Sequence, residues 1–198
     1  NSVITTAAYS TNKDGINKDN GLSTRTGYYL LKLLRPDCNP DPQYKTVQKH
    51  YTAYIRYTEL SLNYAEAANE AWGPLGTGTH TYSAYDVIKA IRLRAGISNG
   101  DAYLESIKSD KDKMRELIRN ERRIELCFEN KRFWDLRRWK AGLVEPAKGM
   151  LIDKQTDGST SYTPIEVEIR DYKDYMNYGP IPYSEIRKWS KLTQNAGW

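Results

Sequence analysis

Residues 54–72 read YIRYTELSLNYAEAANEAW, and this stretch decides the fold. Its apolar and small residues recur at steps of three and four, at Tyr57, Leu60, Tyr64, Ala67, Ala68 and Ala71. Because an α-helix repeats every 3.6 residues, this spacing places them along one side of a helix. Gly73 and Pro74 follow at once and favour its termination. The stretch therefore predicts an amphipathic helix over 54–72.

Three further helices are predicted downstream. The first covers 83–95 and ends before Gly96, a residue suited to a left-handed helix cap. The second starts near Ser109, at a spacing that resembles a capping box, and continues to Phe128. A short last helix covers 133–139. Helices thus dominate the middle of the chain.

The two ends of the chain have a different character. Residues 1–50 are rich in Asn, Thr, Asp, Gly and Pro and predict loops. Short strands are predicted at 149–152 and at 165–169, on either side of a polar turn at 157–159. The sequence predicts a mainly α fold with long irregular loops and a small β-hairpin near the C-terminus. We divide it into a loop-rich lead-in, a helical repeat core and a strand and loop segment, at 1–50, 51–142 and 143–198.

One helical pair matches the tetratricopeptide signature. The signature asks for an aromatic, a Leu, a small residue and a Tyr in the first helix, then Ala and a large apolar residue in the second. Tyr57, Leu60, Ser61 and Tyr64 fill the first set, and Ala84 and Ile88 fill the second. Small residues let two helices approach closely. This predicts tetratricopeptide-like helical hairpins, with a longer connecting loop than the repeat usually has.

Composition narrows the class of function. A chain of 198 residues with a net charge of +5 could contact nucleic acid, but its Arg and Lys mostly stand beside Glu, as on an ion-paired helix face. We expect no nucleic-acid partner and no membrane-crossing segment. Cys38 and Cys127 are far apart in sequence, and His50 and His80 have no metal-ligand or triad spacing. We therefore expect no metal, no cofactor and no catalytic residue.

Aromatic usage favours a binding surface. The chain has 16 Tyr and 5 Trp against 2 Phe, so most of its aromatic rings carry a polar group. Such rings suit wet binding surfaces, although any single Tyr is more often an ordinary core residue.

Several segments resemble the SusD/RagB family. They are RYTELSLNYAEA at 56–67, IRLRAGI at 91–97, LIRNERRIEL at 117–126 with KRFWDLRRW at 131–139, and PIPYSEI at 180–186 with QNAGW at 194–198. The resemblance implies the C-terminal portion of an outer-membrane, cell-surface nutrient-binding lipoprotein. Its partners would be a glycan and a SusC-like TonB-dependent transporter, and its lipid anchor would lie outside these residues.

Candidate ligand-binding residues lie in loops, where a rigid scaffold usually carries its binding groups. The best stretch runs from Trp72 through Tyr82 to Tyr85, between the two repeat helices. Tyr9 and Asn39 are further candidates, from two loops of the lead-in. Trp72 follows directly on the helix and could equally pack beneath it.

The block at 117–139 is expected to be scaffold. Arginine and glutamate there can form guanidinium–carboxylate pairs, and Phe133, Trp134 and Trp139 are expected to fill the space between helices. The scaffold residues are Arg119, Glu121, Arg122, Arg123, Glu125, Trp134 and Arg137.

Two rival functions stay open at this point. A tetratricopeptide-like array can bind peptide or act purely as a protein-interaction scaffold. A glycoside hydrolase would use two carboxylates at a fixed separation, but most Asp and Glu here stand next to Arg or Lys in predicted helices.

Overall fold

The structure is a computed structural model that describes residues 4–7, 12–18 and 23–198. It confirms the mainly α fold with a small β-hairpin towards the C-terminus. The helices are α1 (Tyr57–Trp72), α2 (Ala84–Arg94), α3 (Ala102–Ile107), α4 (Lys111–Glu125), α5 (Arg132–Arg138) and α6 (Tyr183–Lys188). The strands are β1 (Ala147–Lys154) and β2 (Thr160–Glu168), and a short 3-10 helix covers Asp174–Asn177.

The chain forms two compact units. The helical unit comprises residues 47–134, and the hairpin unit comprises residues 1–46 together with 135–198. Among the described residues, none of the helices combines the length and the hydropathy that crossing a bilayer would require.

Helix α1 contacts α2 and α4 through a face different from the one its sequence pattern suggested. Leu62, Ala65 and Ala68 are buried, and the two alanines let the neighbouring helices approach closely. Tyr57 and Leu60, which the predicted stripe would have buried, are 84% and 55% exposed. The predicted helix is therefore confirmed, with a start three residues later, but most residues of its predicted apolar stripe lie on the exposed side.

Helix α2 begins at a complete capping box. The amide of Asp86 donates to Ser83 Oγ at 3.2 Å, and the amide of Ser83 donates to Asp86 Oδ2 at 2.8 Å. These bonds satisfy two backbone donors that a helix start leaves without intrahelical partners. The buried residues Ala84, Ile88 and Ile91 then face the core.

Helix α4 closes the core of the helical unit. Its N-cap is Asp110, whose carboxylate accepts from two backbone amides, and not the neighbouring Ser109 that the sequence suggested. Met114, Leu117 and Ile118 are buried against α1 and α2. The short helix α3, which the sequence pattern did not predict, adds Leu104 to the same core.

The hairpin unit is organised around β1 and β2, which pair antiparallel as predicted. The first strand gains further partners from the start of the chain. Its Ile152 carbonyl accepts from the amides of Thr6 and Ala7 at 2.8 and 3.1 Å, and its Met150 amide donates to the Thr26 carbonyl at 2.8 Å. Backbone pairing thus covers an edge that a lone hairpin would leave open.

Candidate functional site

A groove lies between α1 and α2 in the helical unit, with a volume of about 450 Å³. We call it the α1/α2 groove. It is lined by Tyr57, Thr58, Leu60, Ser61, Tyr64, Tyr82, Asp86, Val87, Ala90, Ile91 and Arg94. Its size falls within the range of roughly 300–1,000 Å³ typical of small-ligand sites.

The groove exists because α1 carries apolar residues on two faces. Leu62 and Ala65 are buried in the core, whereas Tyr57 and Leu60 point away from it and stay exposed. On α2, Ala90 has too small a side chain to fill the opposite wall. A helix with a second apolar face leaves a surface that a ligand or a partner can cover.

An aromatic cluster lies at the groove, formed by Tyr64, Trp72, His80 and Tyr82. The rings of Tyr64 and Tyr82 have centroids 4.6 Å apart, and the ring of His80 meets Tyr64 edge-on at 5.4 Å. Trp72 lies 5.9 Å from His80. Tyr82 is 45% exposed, so part of its ring is available to a ligand.

Trp72 is held by the loop that follows it. A Cβ added to Gly78 would come within 2.5 Å of the Trp72 ring, and one added to Gly76 would come equally close to its Cβ. The glycines therefore let the backbone wrap closely around the indole. Trp72 remains 46% exposed, so its ring both shapes the loop and forms part of the surface.

The Tyr64 hydroxyl fixes the loop at the start of α2. It donates to the carbonyl of Tyr82 at 2.7 Å. Burial raises the pKa of Tyr64, and the nearby phenol of Tyr82 and carboxylate of Asp86 raise it further. The hydroxyl therefore stays protonated and remains a donor over the physiological pH range.

Two charged side chains along the groove already have partners within the protein. Asp86 accepts a hydrogen bond from the Ser83 hydroxyl at 2.8 Å, in addition to its role in the capping box. Arg94 is 57% exposed and lies 2.6 Å from Glu125. Glu125 is only 14% exposed and also lies 3.6 Å from Arg56, so it would keep one cationic partner if Arg94 turned towards a ligand.

A buried ion-pair network connects α2 to its neighbouring helices. Arg92 forms an ion pair with Asp101, in which Nη2 donates a hydrogen bond to Oδ1 at 3.1 Å. Its Nη1 donates a second hydrogen bond to Glu121 Oε1 at 2.5 Å. All three side chains are at most 15% exposed. The hydrogen bond from Arg92 lowers the pKa of Asp101. Forked pairing of one guanidinium with two carboxylates ties α2 to α4 and to the start of α3.

A second set of charges joins α1 to α4 and to the segment after it. Arg122, buried in α4, donates to Asn63 at 2.6 Å and lies 3.7 Å from Glu59. Lys131 lies 3.0 Å from the other oxygen of Glu59. Arg56 donates to Glu129 at 2.9 Å, and this bond raises the pKa of Arg56. Glu121 and Arg122 thus contact other helices as a scaffold would.

The other residues of the 117–139 block differ in how far they are buried. Arg119 is half-buried, Arg123 is exposed, and Glu125 lies within 3.6 Å of Arg56. Trp134 is 66% exposed and meets Phe133 edge-on at 5.0 Å. The sequence analysis predicted that Phe133 and Trp134 fill the space between helices. For these two residues the prediction is wrong, because both rings are exposed on the short helix α5.

Two scaffold and binding candidates belong to the hairpin unit. Arg137 places its guanidinium 5.7 Å from the centre of the Tyr172 ring, a cation–π contact. Asn39 uses its side-chain oxygen to accept the amide of Asp41 at 3.0 Å, and its backbone pairs with Thr46. The side chain of Asn39 thus stabilises the loop in which it lies. Tyr9 lies outside the described residues.

Of the three candidates in the 72–85 stretch, the structure brings two together. Trp72 and Tyr82 both contact His80 in the aromatic cluster. Tyr85 instead directs its hydroxyl to Glu105 of α3, and this hydrogen bond raises the pKa of Tyr85. Sequence reasoning missed Tyr57, Leu60 and Arg94 as groove residues. The match of Tyr57 and Leu60 to a repeat signature was the available signal, but that signature predicts a helical pair and not a ligand site.

Helices α1 and α2, which pack through small residues and leave an aromatic-lined groove between them, form a helical hairpin of the tetratricopeptide-like type. The family model described as the SusD family matches residues 1–198. The chain belongs to the SusD family, as the resemblance predicted.

The most informative relatives are longer than this chain. SusD-like protein P2 of Formosa agariphila is 37% identical over 95 residues, which are 46% of this chain and 18% of the relative. SusD-like protein P25 of the same organism is 27% identical over 159 residues, 80% of this chain and 26% of the relative. A crystal structure of a SusD-like protein from Bacteroides fragilis NCTC 9343 matches with a TM-score of 0.67 and 32% identity, over 89% of this chain and 31% of that one. The chain thus spans less than a third of each relative.

Proposed function

We propose that the chain is part of a non-enzymatic receptor that binds oligosaccharide at the outer-membrane surface and delivers it to a SusC-like TonB-dependent transporter. The observation that carries the proposal is the α1/α2 groove with its exposed Tyr57 and Tyr82 rings, in a chain of the SusD family. A lipid anchor outside these residues would hold the receptor at the membrane.

The groove has the chemistry that a sugar ring needs. A sugar presents an apolar C–H face, which packs on an aromatic ring, and hydroxyl groups at its edge, which need donors and acceptors. Tyr57 and Tyr82 supply the rings, and Asp86, Arg94 and the Ser61 hydroxyl supply polar atoms along the walls. Trp72 and Tyr82 both contact His80, so Trp72 would extend the aromatic surface beyond Tyr82.

Binding without bond cleavage is the better interpretation of the carboxylates in the helical unit. A glycoside hydrolase holds two carboxyl groups about 5–10 Å apart across the scissile bond. Here Asp101 and Glu121 are both paired with Arg92, and Glu125 is paired with Arg56 and Arg94. These carboxylates serve the packing of the helices.

A second candidate function is the docking of a peptide or a partner helix. The observation that favours it is the composition of the groove walls, where Leu60, Val87 and Ile91 lie between two helices. An amphipathic helix binds such a groove through apolar side chains spaced three and four residues apart.

The test is isothermal titration calorimetry of the full chain with neutral oligosaccharides of four to seven units, built from glucose, xylose, mannose or galactose. We expect Tyr57→Ala and Tyr82→Ala each to weaken binding about tenfold, because each removes an exposed ring from the groove. Tyr103→Ala is the matched control, since Tyr103 is 52% exposed on α3 and does not line the groove.

The outcomes separate the alternatives. Unchanged affinity in both groove variants would remove the groove from the glycan site. Absence of binding by the parent chain to every oligosaccharide, with binding of an amphipathic helical peptide that Leu60→Asp abolishes, would favour the docking function. Release of reducing ends from the same oligosaccharides by the purified chain would contradict a non-enzymatic role.

A further inference from the structure

The hairpin unit contains a pocket of its own, with a volume of about 390 Å³. One wall is the segment that follows α5, with Lys140, Leu143 and Val144. The other is the 3-10 helix and its neighbours, with Tyr172, Asp174, Asn177 and Tyr178. We call it the C-terminal pocket. Its volume lies near the lower end of the roughly 300–1,000 Å³ range for small-ligand sites, which fits a short ligand better than an extended chain.

The second wall is held in place by side-chain hydrogen bonds. The Tyr172 hydroxyl donates to Asn177 Oδ1 at 2.8 Å, and Asn177 Nδ2 donates to the carbonyl of Asp174 at 2.6 Å. The guanidinium of Arg137 lies against the Tyr172 ring. A wall fixed before binding lowers the ordering cost of taking up a ligand.

Three polar side chains of the pocket are not used by the fold. Within the described residues, the Lys140 ammonium, the Asp174 carboxylate and the Tyr178 hydroxyl make no hydrogen bond or ion pair. Tyr178 is held through its backbone instead, because its carbonyl accepts from the Trp198 indole at 2.9 Å. Its ring is 64% exposed. The pocket therefore offers one donor cation, one acceptor anion and one aromatic face.

We propose that the C-terminal pocket is a second glycan subsite, which takes one or two sugar units of a neutral glycan. A sugar hydroxyl both donates and accepts, so neighbouring hydroxyls of one ring can donate to Asp174 and accept from Lys140. The C–H face of that ring packs on Tyr178. The opposite charges of Lys140 and Asp174 cancel, which gives no net preference for a charged ligand.

The inference rests on the proposed function but uses different residues. The α1/α2 groove belongs to the helical unit, and every residue named for the C-terminal pocket belongs to the hairpin unit. Substitutions in one site therefore leave the side chains of the other unchanged. The two sites can be tested separately with the same ligand.

The experiment titrates the tightest-binding oligosaccharide of the neutral panel into variants of the full chain. Tyr178→Ala removes the ring, and Asp174→Asn keeps the shape of the side chain while removing its charge. The matched controls are Tyr183→Ala, 74% exposed on α6, and Asp171→Asn, which is also exposed, and neither lines the pocket. We expect a loss of affinity of about tenfold for Tyr178→Ala and about fivefold for Asp174→Asn, with less than a twofold change in the controls.

Each outcome of this titration either supports or overturns the second subsite. Affinity at the parental level in both pocket variants, with affinity still lost in Tyr82→Ala, overturns the second subsite and leaves the proposed function standing. Equal losses in the pocket variants and in their controls also overturn it, because the effect would then not depend on the pocket. If the parent chain binds no oligosaccharide of the panel, the proposed function and the second subsite fall together.

Discussion

Tyr64 and Tyr82 are joined by a hydrogen bond of 2.7 Å from the hydroxyl of the first to the backbone carbonyl of the second. Tyr64 lies on α1, and Tyr82 ends the loop that leads into α2. One side chain thus connects the first helix to the entry of the second and places the exposed ring of Tyr82 at the groove. The position of the candidate ligand surface depends on this contact.

Replacing Tyr64 with Phe should loosen the loop without removing the ring. The hydroxyl is the only part lost, so the carbonyl of Tyr82 loses its donor while the ring contact at 4.6 Å is kept. We expect amide hydrogen exchange in residues 76–82 to become about fivefold faster, the equivalent of one hydrogen bond. Tyr103→Phe on α3 is the control. Equal exchange in Tyr64→Phe and the parent would show that the bond does not hold the loop.

Gly78 should resist substitution more strongly than Gly100. Both adopt positive φ, +57° and +83°, so alanine at either position carries a backbone cost of about 1–2 kcal/mol. At Gly78 the new Cβ would also meet the Trp72 ring at 2.5 Å, whereas at Gly100 nothing lies within 4 Å. We expect urea denaturation to show a larger loss of stability for Gly78→Ala. Equal losses would mean that the loop does not wrap Trp72.

Removing the Arg92 side-chain charge should destabilise the helical unit strongly. Arg92→Met would leave Asp101 and Glu121 without their shared partner at 12% and 7% exposure. Breaking a buried ion pair in this way costs about 3–5 kcal/mol. Arg115→Met is the control, because Arg115 pairs with Glu70 and Asp112 near the surface, where loss of a pair costs less than about 1 kcal/mol. Denaturant midpoints that fall equally in the two variants would contradict the buried network.

Stability should decline in acid through Asp101. The hydrogen bond from Arg92 lowers the pKa of Asp101 from its ordinary value of 3.8. A carboxylate whose pKa is lower in the folded state contributes its full stability above its unfolded pKa and loses it as the pH falls through the folded pKa. We therefore expect the free energy of unfolding to drop below about pH 4. Asp101→Asn should be less stable at neutral pH and should lose less on acidification, as thermal denaturation at several pH values would show. A drop of the same size in Asp101→Asn would place the effect elsewhere.

The helices that the sequence predicted well are those with strong local signals. Helix α2 was predicted from its apolar spacing and from Gly96, and its start is fixed in the structure by the Ser83 and Asp86 capping box, which the sequence analysis did not identify. The end of α1 at Gly73 is equally local. Helix α3 was missed because its six residues are too few to display a helical period.

The candidate site was less predictable because it depends on contacts distant in sequence. Helix α1 has two apolar faces, and periodicity alone does not tell which one meets α4. The sequence pattern places Tyr57 and Leu60 on the apolar side of the helix, but Leu62 and Ala65 are the residues buried in the core. The C-terminal pocket joins residues near 140 to residues near 175, and no local pattern connects them.

The most direct test of the glycan receptor is a hydrogen-exchange footprint of the full chain with and without its bound neutral oligosaccharide. Residues 57–64 and 82–94 form the groove walls, so we predict that the ligand slows exchange in both. Slowed exchange that avoids both segments, or no change anywhere at a saturating ligand concentration, would contradict binding in the α1/α2 groove.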